Sequence, residues 1–310
     1  MLRGLLASFA LALASAIALV PASAAPADGL SYPWPVKPFD RPHAIRGFFN
    51  DPRRDFVGEE LQSNFHFGID ISARDRTPVY AVAPGVVSRH TTYVTVSANG
   101  RDFGYWHIDP VVDQGQEVQQ GTLVGTVEPG WGHLHFAESF NGVYVNPLRP
   151  GALTPYVDTT SPTIVSIGIG YAGKGVDLTK VRGTVDLTCN AFDTPPIEPP
   201  PPWDDTRVTP DLVRWRILRG VAGGQARWRT AVDFRTTLLP NAMFNLVYAP
   251  GTRQNRAERP GTYNFYLKQA FRTTKLRDGP YRLQVAVFDS RANTARSTLA
   301  FTVANRPTTP

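Results

Sequence analysis

The sequence predicts a mainly β protein in which a small antiparallel β-sheet domain is followed by a β-sandwich domain. Short runs of β-branched and aromatic residues recur along the chain, each bounded by Gly, Pro, Asn or Asp, which is the pattern of short strands joined by turns. Glycine and proline are frequent as well, with 26 and 28 residues among 310, as a protein with many turns requires. Between residues 47 and 147, no stretch keeps the apolar spacing of a helix over three turns.

The first 24 residues have the composition of a signal peptide. Arg3 provides a basic start, residues 5–20 are almost wholly apolar, and Ala22-Ser23-Ala24 offers small residues for cleavage. A membrane anchor is the alternative, but the apolar stretch is short for a spanning helix. We therefore expect a secreted protein, periplasmic or extracellular, without a transmembrane anchor. Residues 25–45, rich in Pro and Ala, are predicted to form a loosely held lead-in.

The first domain is predicted over residues 46–150. Its clearest strand patterns lie at residues 79–82, 86–88, 93–97, 105–108, 123–127 and 134–137. Each pattern is short and ends at turn-forming residues. We therefore expect a small sheet with mostly antiparallel pairing.

A linker is predicted over residues 151–162, and a second domain over residues 163–305. Strand patterns in this domain lie at residues 163–167, 184–191, 212–218, 263–271, 281–288 and 298–303. About seven strands in such a length resemble an immunoglobulin or fibronectin type III sandwich. The proline-rich tract 195–202 cannot continue a sheet and is predicted to be an exposed loop. Cys189, the single cysteine, is predicted to be a buried apolar side chain rather than a nucleophile.

The residues that carry chemistry are the histidines, all of which lie in the first half of the chain. They are His43, His66, His90, His107, His133 and His135. His133 and His135 share one face of a predicted strand, about 6.6 Å apart along the chain. This spacing suits one metal ligand and one neighbouring imidazole that handles a proton. His66 and Asp70 would lie about 13 Å apart on a straight strand, so we expect Gly68 to let the chain turn and bring them together.

Two imidazoles and one carboxylate make a three-ligand zinc site whose fourth position is left for water, which is the arrangement of catalytic zinc sites. The sequence contains no H-E-x-x-H element, so a glutamate base of the thermolysin kind is not expected. His43 and His90 lie outside these patterns and are predicted to be structural.

Together these patterns resemble the lysostaphin/LytM-type zinc endopeptidases, which cleave bacterial peptidoglycan. The resemblance rests on His66-x3-Asp70, Tyr105-x-His107 and His133-x-His135, in this order along the chain. The residues around these motifs, in segments 68–71, 77–87, 115–125 and 134–148, resemble the family as well. The similarity covers about a third of the chain.

The resemblance implies a Zn2+ ion bound by His66, Asp70 and His135. It also implies that His133 is the general base and that His107 steadies the water or the developing oxyanion. A neutral imidazole suits this proton transfer because its pKa lies close to neutrality. The implied activity is that of a zinc metalloendopeptidase acting on the stem peptides or bridges of peptidoglycan.

The sequence departs from the family just before the H-x-H element, where residues 127–132 replace a Gly- and Ser/Thr-rich loop. The bond that is cut is therefore left open: glycine bridges, direct stem-peptide cross-links or Gly-rich proteins. Trp106 and Trp131 either line a groove or pack in the core. Glu138 is either a partner of a histidine or a solvated strand end.

Two alternatives to a peptidase are weaker. A non-catalytic LytM-like module, which binds the wall or activates other wall hydrolases, would be expected to lose ligands, but all of them are present. A biotinyl or lipoyl carrier needs a lysine at a hairpin tip, whereas Lys37 in the lead-in is the only lysine before residue 156.

The charge is unevenly distributed along the chain. Residues 25–155 carry ten basic and fourteen acidic side chains, and residues 156–310 carry twenty-one basic and twelve acidic ones. A basic second half predicts attraction to anionic surfaces such as wall polymers or lipid head groups, and an ordinary solvated surface is the alternative. Nucleic acid is not an expected partner, since the sequence contains no motif that binds it.

Overall fold

The computed structural model of the protein describes residues 31–57, 60–171, 173–220 and 226–306. Within these ranges the protein is mainly β, and the pairings between its strands are antiparallel. This confirms the predicted fold class. The predicted signal peptide, residues 1–24, lies outside the described residues. Over the ranges given above, no helix combines the length and the apolar character that crossing a bilayer requires.

The first half of the chain forms one large sheet, one small sheet and a hairpin. Its strands are β1 (Ile45–Gly47), β2 (Pro52–Val57), β3 (Glu60–Phe65), β4 (Ile69–Ser72), β5 (Pro78–Tyr80), β6 (Gly85–Arg89), β7 (Tyr93–Ala98), β8 (Arg101–Trp106), β9 (Ile108–Pro110), β10 (Glu117–Val118), β11 (Leu123–Val127), β12 (His133–Phe140) and β13 (Val143–Val145). The large sheet has the order β1-β4-β12-β8-β7-β6-β10, and β13 pairs with β12. The small sheet has the order β5-β11-β9, and β2 pairs with β3.

The second half forms two four-stranded sheets. Its strands are β14 (Thr163–Tyr171), β15 (Lys174–Gly175), β16 (Thr184–Phe192), β17 (Leu212–Arg219), β18 (Arg229–Asp233), β19 (Asn264–Arg272), β20 (Gly279–Phe288) and β21 (Thr294–Val303). The sheet orders are β15-β14-β16-β19 and β18-β17-β20-β21. One helical turn, α1 (Phe244–Val247), follows a 3-10 turn at Asn241–Met243, and a second 3-10 turn lies at Thr273–Lys275.

Alternating side chains of these two sheets share one apolar core, as expected for a sandwich. Leu187 and Phe265 contribute from the first sheet, and Trp215 and Val285 from the second. Cys189 faces the same core and is 1% exposed. This burial confirms the predicted buried side chain, and it raises the pKa of the thiol to about 12.

The described part of the lead-in is packed rather than loosely held. Tyr32 and Trp34 are 2% and 0% exposed, and the Trp34 indole donates a hydrogen bond to the carbonyl of Pro155 (2.7 Å). Leu153 and Tyr156, from the predicted linker, belong to the same core. The proline-rich composition suggested a loose segment, but its aromatic side chains bury enough apolar surface to fix it. The domain boundaries given above stay predictions.

Contacts between the two halves lie next to the predicted histidine site. Phe65, which precedes His66, packs in the core of the second half, where its ring centroid lies 5.3 Å from that of Phe244. Asp51 is 1% exposed, and its Oδ1 accepts hydrogen bonds from the backbone nitrogen (2.9 Å) and hydroxyl (2.8 Å) of Thr209. The second half therefore helps to position the chain on both sides of the β2–β3 hairpin.

Glu138 fits neither of its two expected roles. It is fully buried and lies on the face of β12 opposite to His133 and His135, because side chains alternate along a strand. Its carboxylate accepts a hydrogen bond from the Tyr32 hydroxyl (2.6 Å) and forms ion pairs with Arg149 (2.5 Å) and with Arg101. Glu138 is therefore the centre of a buried ionic cluster beneath the sheet.

Candidate metal centre

Three of the predicted residues bring one donor atom each to a common point. His66 Nε2 lies 2.8 Å from His135 Nδ1, and each of these nitrogens lies 3.1 Å from Asp70 Oδ1. Both histidines are 4% exposed, and the Asp70 side chain is 13% exposed. The structure thus brings together the three residues that the sequence pattern selected as ligands.

Strand register and a close backbone approach explain this convergence. Asp70 on β4 lies directly opposite His135 on β12, which puts side chains of one face within contact range. His66 reaches them because the chain leaves β3 and enters β4 through Gly68. A Cβ atom at Gly68 would lie 2.4 Å from the carbonyl oxygen of Phe136 and 2.9 Å from His135 Nε2. Glycine is needed here for close packing against β12.

A backbone carbonyl sets the tautomer of His66. Its Nδ1 lies 2.8 Å from the carbonyl oxygen of Phe48, which can only accept, so Nδ1 carries the proton and Nε2 keeps a lone pair. Burial lowers the pKa of His66 and lowers that of His135 to about 4. Both imidazoles are therefore neutral at neutral pH, as metal binding requires.

The outer nitrogen of His135 faces aromatic rings. His135 Nε2 is buried and has no hydrogen-bond partner among the described residues. The His135 ring lies 4.4 Å from the centroid of Phe67 and 5.3 Å, edge to face, from that of Trp106. This packing holds the ring with Nδ1 directed at Asp70.

Arg53 holds the carboxylate of Asp70 from the other side. Arg53 Nη2 donates to Asp70 Oδ2 at 2.7 Å, which leaves Oδ1 for the two imidazoles. Gly47 leaves room for this pair, since a Cβ atom there would lie 2.5 Å from Asp70 Oδ2. Burial alone would raise the pKa of Asp70, but His66 and Arg53 hold it well below its usual value. The carboxylate is therefore ionised. No local motif in the sequence marks Arg53.

His133 lies beside the three donors, on the same face of β12 as His135. Its Nε2 is 3.5 Å from Asp70 Oδ1, and its Nδ1 is 2.9 Å from the carbonyl oxygen of Trp131. When Nδ1 donates to this carbonyl, Nε2 presents a lone pair to the centre. That tautomer is the one that a general base needs.

A second arginine that sequence reasoning missed contacts the same histidine. Arg46 Nη2 lies 2.5 Å from His133 Nδ1 and donates to the Trp131 carbonyl at 2.8 Å. The guanidinium lies 4.2 Å from the ring centroid of Trp203, beyond the proline-rich tract of the second half. Arg46 thus connects the edge of the histidine site to the sandwich. No spacing pattern in the sequence marks Arg46 as a site residue; it simply precedes Gly47.

His107 completes the row of imidazoles. It lies between β8 and β9 with φ 64, a left-handed conformation that is uncommon for residues other than glycine. Its ring stacks on Trp131 (3.6 Å between centroids) and lies 4.8 Å from the ring of His133. Burial lowers the pKa of His107 to about 3, helped by His133 and His135. Its ring is therefore neutral.

The two tryptophans line the surface beside the histidines. Trp131 is 44% exposed. Trp106 borders a pocket of about 200 Å³ together with Tyr93 and His90, whose rings stack in a row: Tyr93 on Trp106 (5.3 Å) and His90 on Tyr93 (4.0 Å). His43 lies apart from this row, against Trp34 (5.2 Å).

The residues present fit a zinc ion. Two neutral imidazole nitrogens and one ionised carboxylate oxygen are typical zinc ligands, and catalytic sites use three of them. A tetrahedral ion with bonds of about 2.0–2.1 Å separates its donors by about 3.3 Å. The separations of 2.8–3.1 Å found here would need to open by only a few tenths of an ångström.

The fold and these side chains define a class: a β-sheet domain in which a His-Asp-His group can hold a metal ion beside two further imidazoles. Comparison with known proteins gives a family match for part of the chain. Residues 64–147 match the family model described as Peptidase family M23, which confirms the predicted LytM-type peptidase family for this part of the chain.

Solved structures give partial alignments. A zinc-containing peptidase from Vibrio cholerae is 25% identical over 38% of this chain and 39% of that chain, with a TM-score of 0.30. A mutant catalytic domain of the prophage-encoded M23 protein EnpA from Enterococcus faecalis is 26% identical over 38% of this chain and 98% of that chain, with a TM-score of 0.29. This chain therefore covers less than half of the Vibrio cholerae protein. No curated protein matches it.

Proposed function

We propose that the protein is a secreted zinc metalloendopeptidase that hydrolyses the peptide cross-links of bacterial peptidoglycan. The observation that carries the proposal is the meeting of His66 Nε2, Asp70 Oδ1 and His135 Nδ1 within 3.1 Å of one another. The match of residues 64–147 to a peptidase family supports the type of reaction. The predicted signal peptide supports a site of action outside the cytoplasm.

His66, Asp70 and His135 would hold the zinc ion. Zinc supplies Lewis acidity, which polarises the scissile carbonyl and lowers the pKa of water. The ion pair between Arg53 and Asp70 keeps the carboxylate ionised and leaves a single oxygen directed at the two imidazoles. The carbonyl of Phe48 keeps Nε2 of His66 free of a proton. These contacts prepare the donors before any substrate binds.

The other two imidazoles would move and stabilise charge. His133 would take the proton of the attacking water at Nε2 in the tautomer whose Nδ1 donates to the Trp131 carbonyl. In that tautomer Arg46, which can only donate, hydrogen-bonds to the same carbonyl and not to Nδ1. His107 is neutral and keeps one N–H, which would donate a hydrogen bond to the oxyanion that develops on the scissile carbonyl. The stacking of His107 on Trp131 holds this ring in place.

The surface beside the centre suits an extended peptide with small side chains. The stacked rings of Trp106 and Tyr93 line the pocket, and Asp102 and Ser139 supply polar groups at its wall. A pocket of about 200 Å³ accommodates one or two small residues. Glycine bridges, which are among the candidate substrates, have this character.

The second half would bind anionic wall polymers. It carries the excess of basic side chains. A pocket of about 630 Å³ in this half is lined by Arg219, Arg227 and Arg229, together with Trp228. Guanidinium groups pair with phosphate or carboxylate groups in two-point contacts. Co-sedimentation of the full chain with purified walls, repeated at rising salt and with Arg227→Glu, tests this part, and binding that is insensitive to both would contradict it.

Digestion of purified peptidoglycan with the zinc-loaded full chain tests the proposal. Mass spectrometry of the fragments should reveal new amino termini within the cross-links, and these should disappear with His135→Ala. His43→Ala, which alters a histidine outside the centre, is the matched control and should behave as the parent. Intact cross-links after incubation with a protein that holds one zinc per chain would instead favour a non-catalytic wall-binding module.

A further inference from the structure

A second group of carboxylates lies outside the histidine site. Asp158, Asp193 and Asp289 each offer one oxygen, and these oxygens lie within 4.8 Å of one another. The three residues are 5%, 1% and 2% exposed. Asp158 comes from the segment that follows the first core, whereas Asp193 follows β16 and Asp289 follows β20. The group therefore joins that segment to both sheets of the sandwich.

Two of the three carboxylates are oriented by local hydrogen bonds. Asp158 Oδ1 accepts from the backbone nitrogen (2.9 Å) and the hydroxyl (2.7 Å) of Thr160. Asp289 accepts from the backbone nitrogens of Arg291 (2.9 Å) and Asn293 (2.8 Å), and from the Asn293 side chain (2.6 Å). Asn293 also donates to the carbonyl of Asp158 (3.0 Å), which ties the two turns together.

Asp193 differs from the other two because one of its carboxylate oxygens accepts no hydrogen bond from the described residues. Its Oδ1 accepts from the backbone nitrogen of Thr194 (2.9 Å). Its Oδ2 is buried and has no hydrogen-bond partner in the described ranges. A carboxylate oxygen removed from water without a partner is costly, so this atom indicates a ligand that is supplied from outside the chain.

The charges of the group are also unbalanced. None of the ion pairs among the described residues includes Asp158, Asp193 or Asp289. Arg291 lies at the edge of the group, but its guanidinium donates to the carbonyls of Leu148 (2.7 Å) and Tyr156 (3.3 Å). Buried carboxylates that face one another need either protons or a cation.

We infer that Asp158, Asp193 and Asp289 bind a calcium ion, which fastens the segment after the first core to both sheets of the sandwich. The donors are all oxygens, which hard cations prefer and which suit zinc less well. Oxygens bound at about 2.4 Å lie at most about 4.8 Å apart across the ion, as the observed spacing allows. The inference is independent of the proposed peptidase function.

Protonation of the aspartate side chains is the alternative to a bound cation, because protons would also neutralise carboxylates that lie this close together. Burial and the nearby Asp158 raise the pKa of Asp193 to about 9, and burial together with Asp289 raises that of Asp211 to about 8. Without a cation, these carboxyls would hold protons at neutral pH.

Calcium titration of the full chain tests the inference. The protein is stripped of metal and reloaded with one equivalent of zinc, so that the histidine site is filled before calcium chloride is added. We expect one calcium per chain by calorimetry and a melting temperature about 5–10 °C higher at calcium concentrations near 100 times Kd. Magnesium should bind more weakly, because it requires a tighter octahedral geometry.

Terbium luminescence gives a second, direct readout. Tb3+ substitutes for calcium and is excited through nearby tyrosines, and the Tyr156 hydroxyl lies 3.5 Å from Asp158 Oδ2. Saturable luminescence that calcium displaces is the expected result. The absence of both this signal and the calorimetric binding in the wild-type chain would overturn the inference, whether or not any variant folds.

Two aspartate variants locate the site. Asp193→Asn should abolish the calcium-dependent rise in melting temperature and lower calcium affinity at least about 100-fold. Asp205→Asn is the matched control, since Asp205 is an exposed aspartate of the same half, and should bind calcium as the parent does. Calcium binding that survives Asp193→Asn, or that is lost with His66→Ala instead, would place the ion elsewhere and contradict the assignment.

Discussion

Replacing Gly68 by alanine probes the packing that places His66 next to the other two donors. The added methyl group would lie 2.4 Å from the Phe136 carbonyl oxygen and 2.9 Å from His135 Nε2, whereas ordinary contact begins at 3.4 Å. The first of these atoms is backbone in the middle of the sheet, so the chain that carries His66 must move by about 1 Å. A displacement of this size costs about 100-fold in catalysis and about 1–3 kcal/mol in stability through overpacking.

Zinc affinity and activity of Gly68→Ala should therefore fall together. We expect zinc binding, measured by competition with a chromogenic chelator, to weaken about 10–100-fold, and peptidoglycan release to fall about 100-fold. Gly175→Ala is the matched control, because a Cβ atom at Gly175 would meet nothing within 4 Å. A Gly68→Ala protein that binds zinc and cuts substrate like the parent would refute the idea that this contact sets the geometry.

Four further variants or conditions separate the roles of other groups. His133→Ala should keep its zinc, measured by elemental analysis, and lose at least about 100-fold in turnover because it lacks the base. Arg46→Ala removes a donor from the Trp131 carbonyl and should lower turnover about 10-fold at unchanged zinc content. Glu138→Gln should lower the free energy of unfolding by about 3 kcal/mol in urea titrations, because it leaves buried guanidinium groups without their anion. In EDTA, the melting temperature should fall as the pH rises from about 4 to about 9, because folded Asp193 keeps a proton that the unfolded chain releases above its ordinary pKa.

Each of these expectations has an outcome that contradicts it. Full activity of His133→Ala would remove the assigned base, and loss of zinc in Arg46→Ala would make Arg46 part of the metal site rather than a support of His133. If Glu138→Gln left the free energy of unfolding unchanged, the ionic cluster would make no net contribution to stability.

The pH effect belongs to a group of side chains and needs its own control. Asp193 faces Asp158 and Asp289, with Asp211 and Arg291 also within electrostatic reach. Saturating calcium should suppress the fall in melting temperature, since the ion stabilises the ionised carboxylates. Asp193→Asn in EDTA should also have a smaller fall. A pH profile that neither calcium nor this substitution alters would assign the titration to other groups.

The strands were accessible from the sequence because apolar and polar residues alternate along them. On β16, the inward side chains Val185, Leu187 and Cys189 alternate with partly exposed ones, and the predicted range 184–191 is one residue shorter than the strand. The short strands β1 and β4 were not predicted, although the four residues of β4 alternate between buried apolar and less buried polar side chains. β4 is placed by pairing with β12, and β1 by pairing with β4; both pairings are tertiary information.

The histidine site was accessible for a different reason. His133 and His135 lie two residues apart, and His66 and Asp70 lie four apart, so short patterns contain most of the ligand set. Arg46 and Arg53 reach the same site through the fold alone and have no spacing that marks them. The Asp158, Asp193 and Asp289 group lies beyond local reasoning altogether, because its members come from three distant parts of the chain.

Glu138 illustrates how far local reasoning extends. Its neighbours His133 and His135 suggested a role at the histidine site, but the strand turns Glu138 to the other face, where Arg101 and Arg149 meet it. These arginines lie 37 and 11 residues away along the chain, on a different strand and beyond β13. Only the three-dimensional structure brings them together.

Anomalous diffraction at the zinc edge, from crystals of the full chain grown with zinc, tests the central claim most directly. We expect a single strong peak within about 2.0–2.2 Å of His66 Nε2, Asp70 Oδ1 and His135 Nδ1, with His133 and His107 beyond bonding distance. A peak bound by His133 or His107 in place of Asp70, or no peak at this point, would contradict the assignment of these three residues as the zinc ligands.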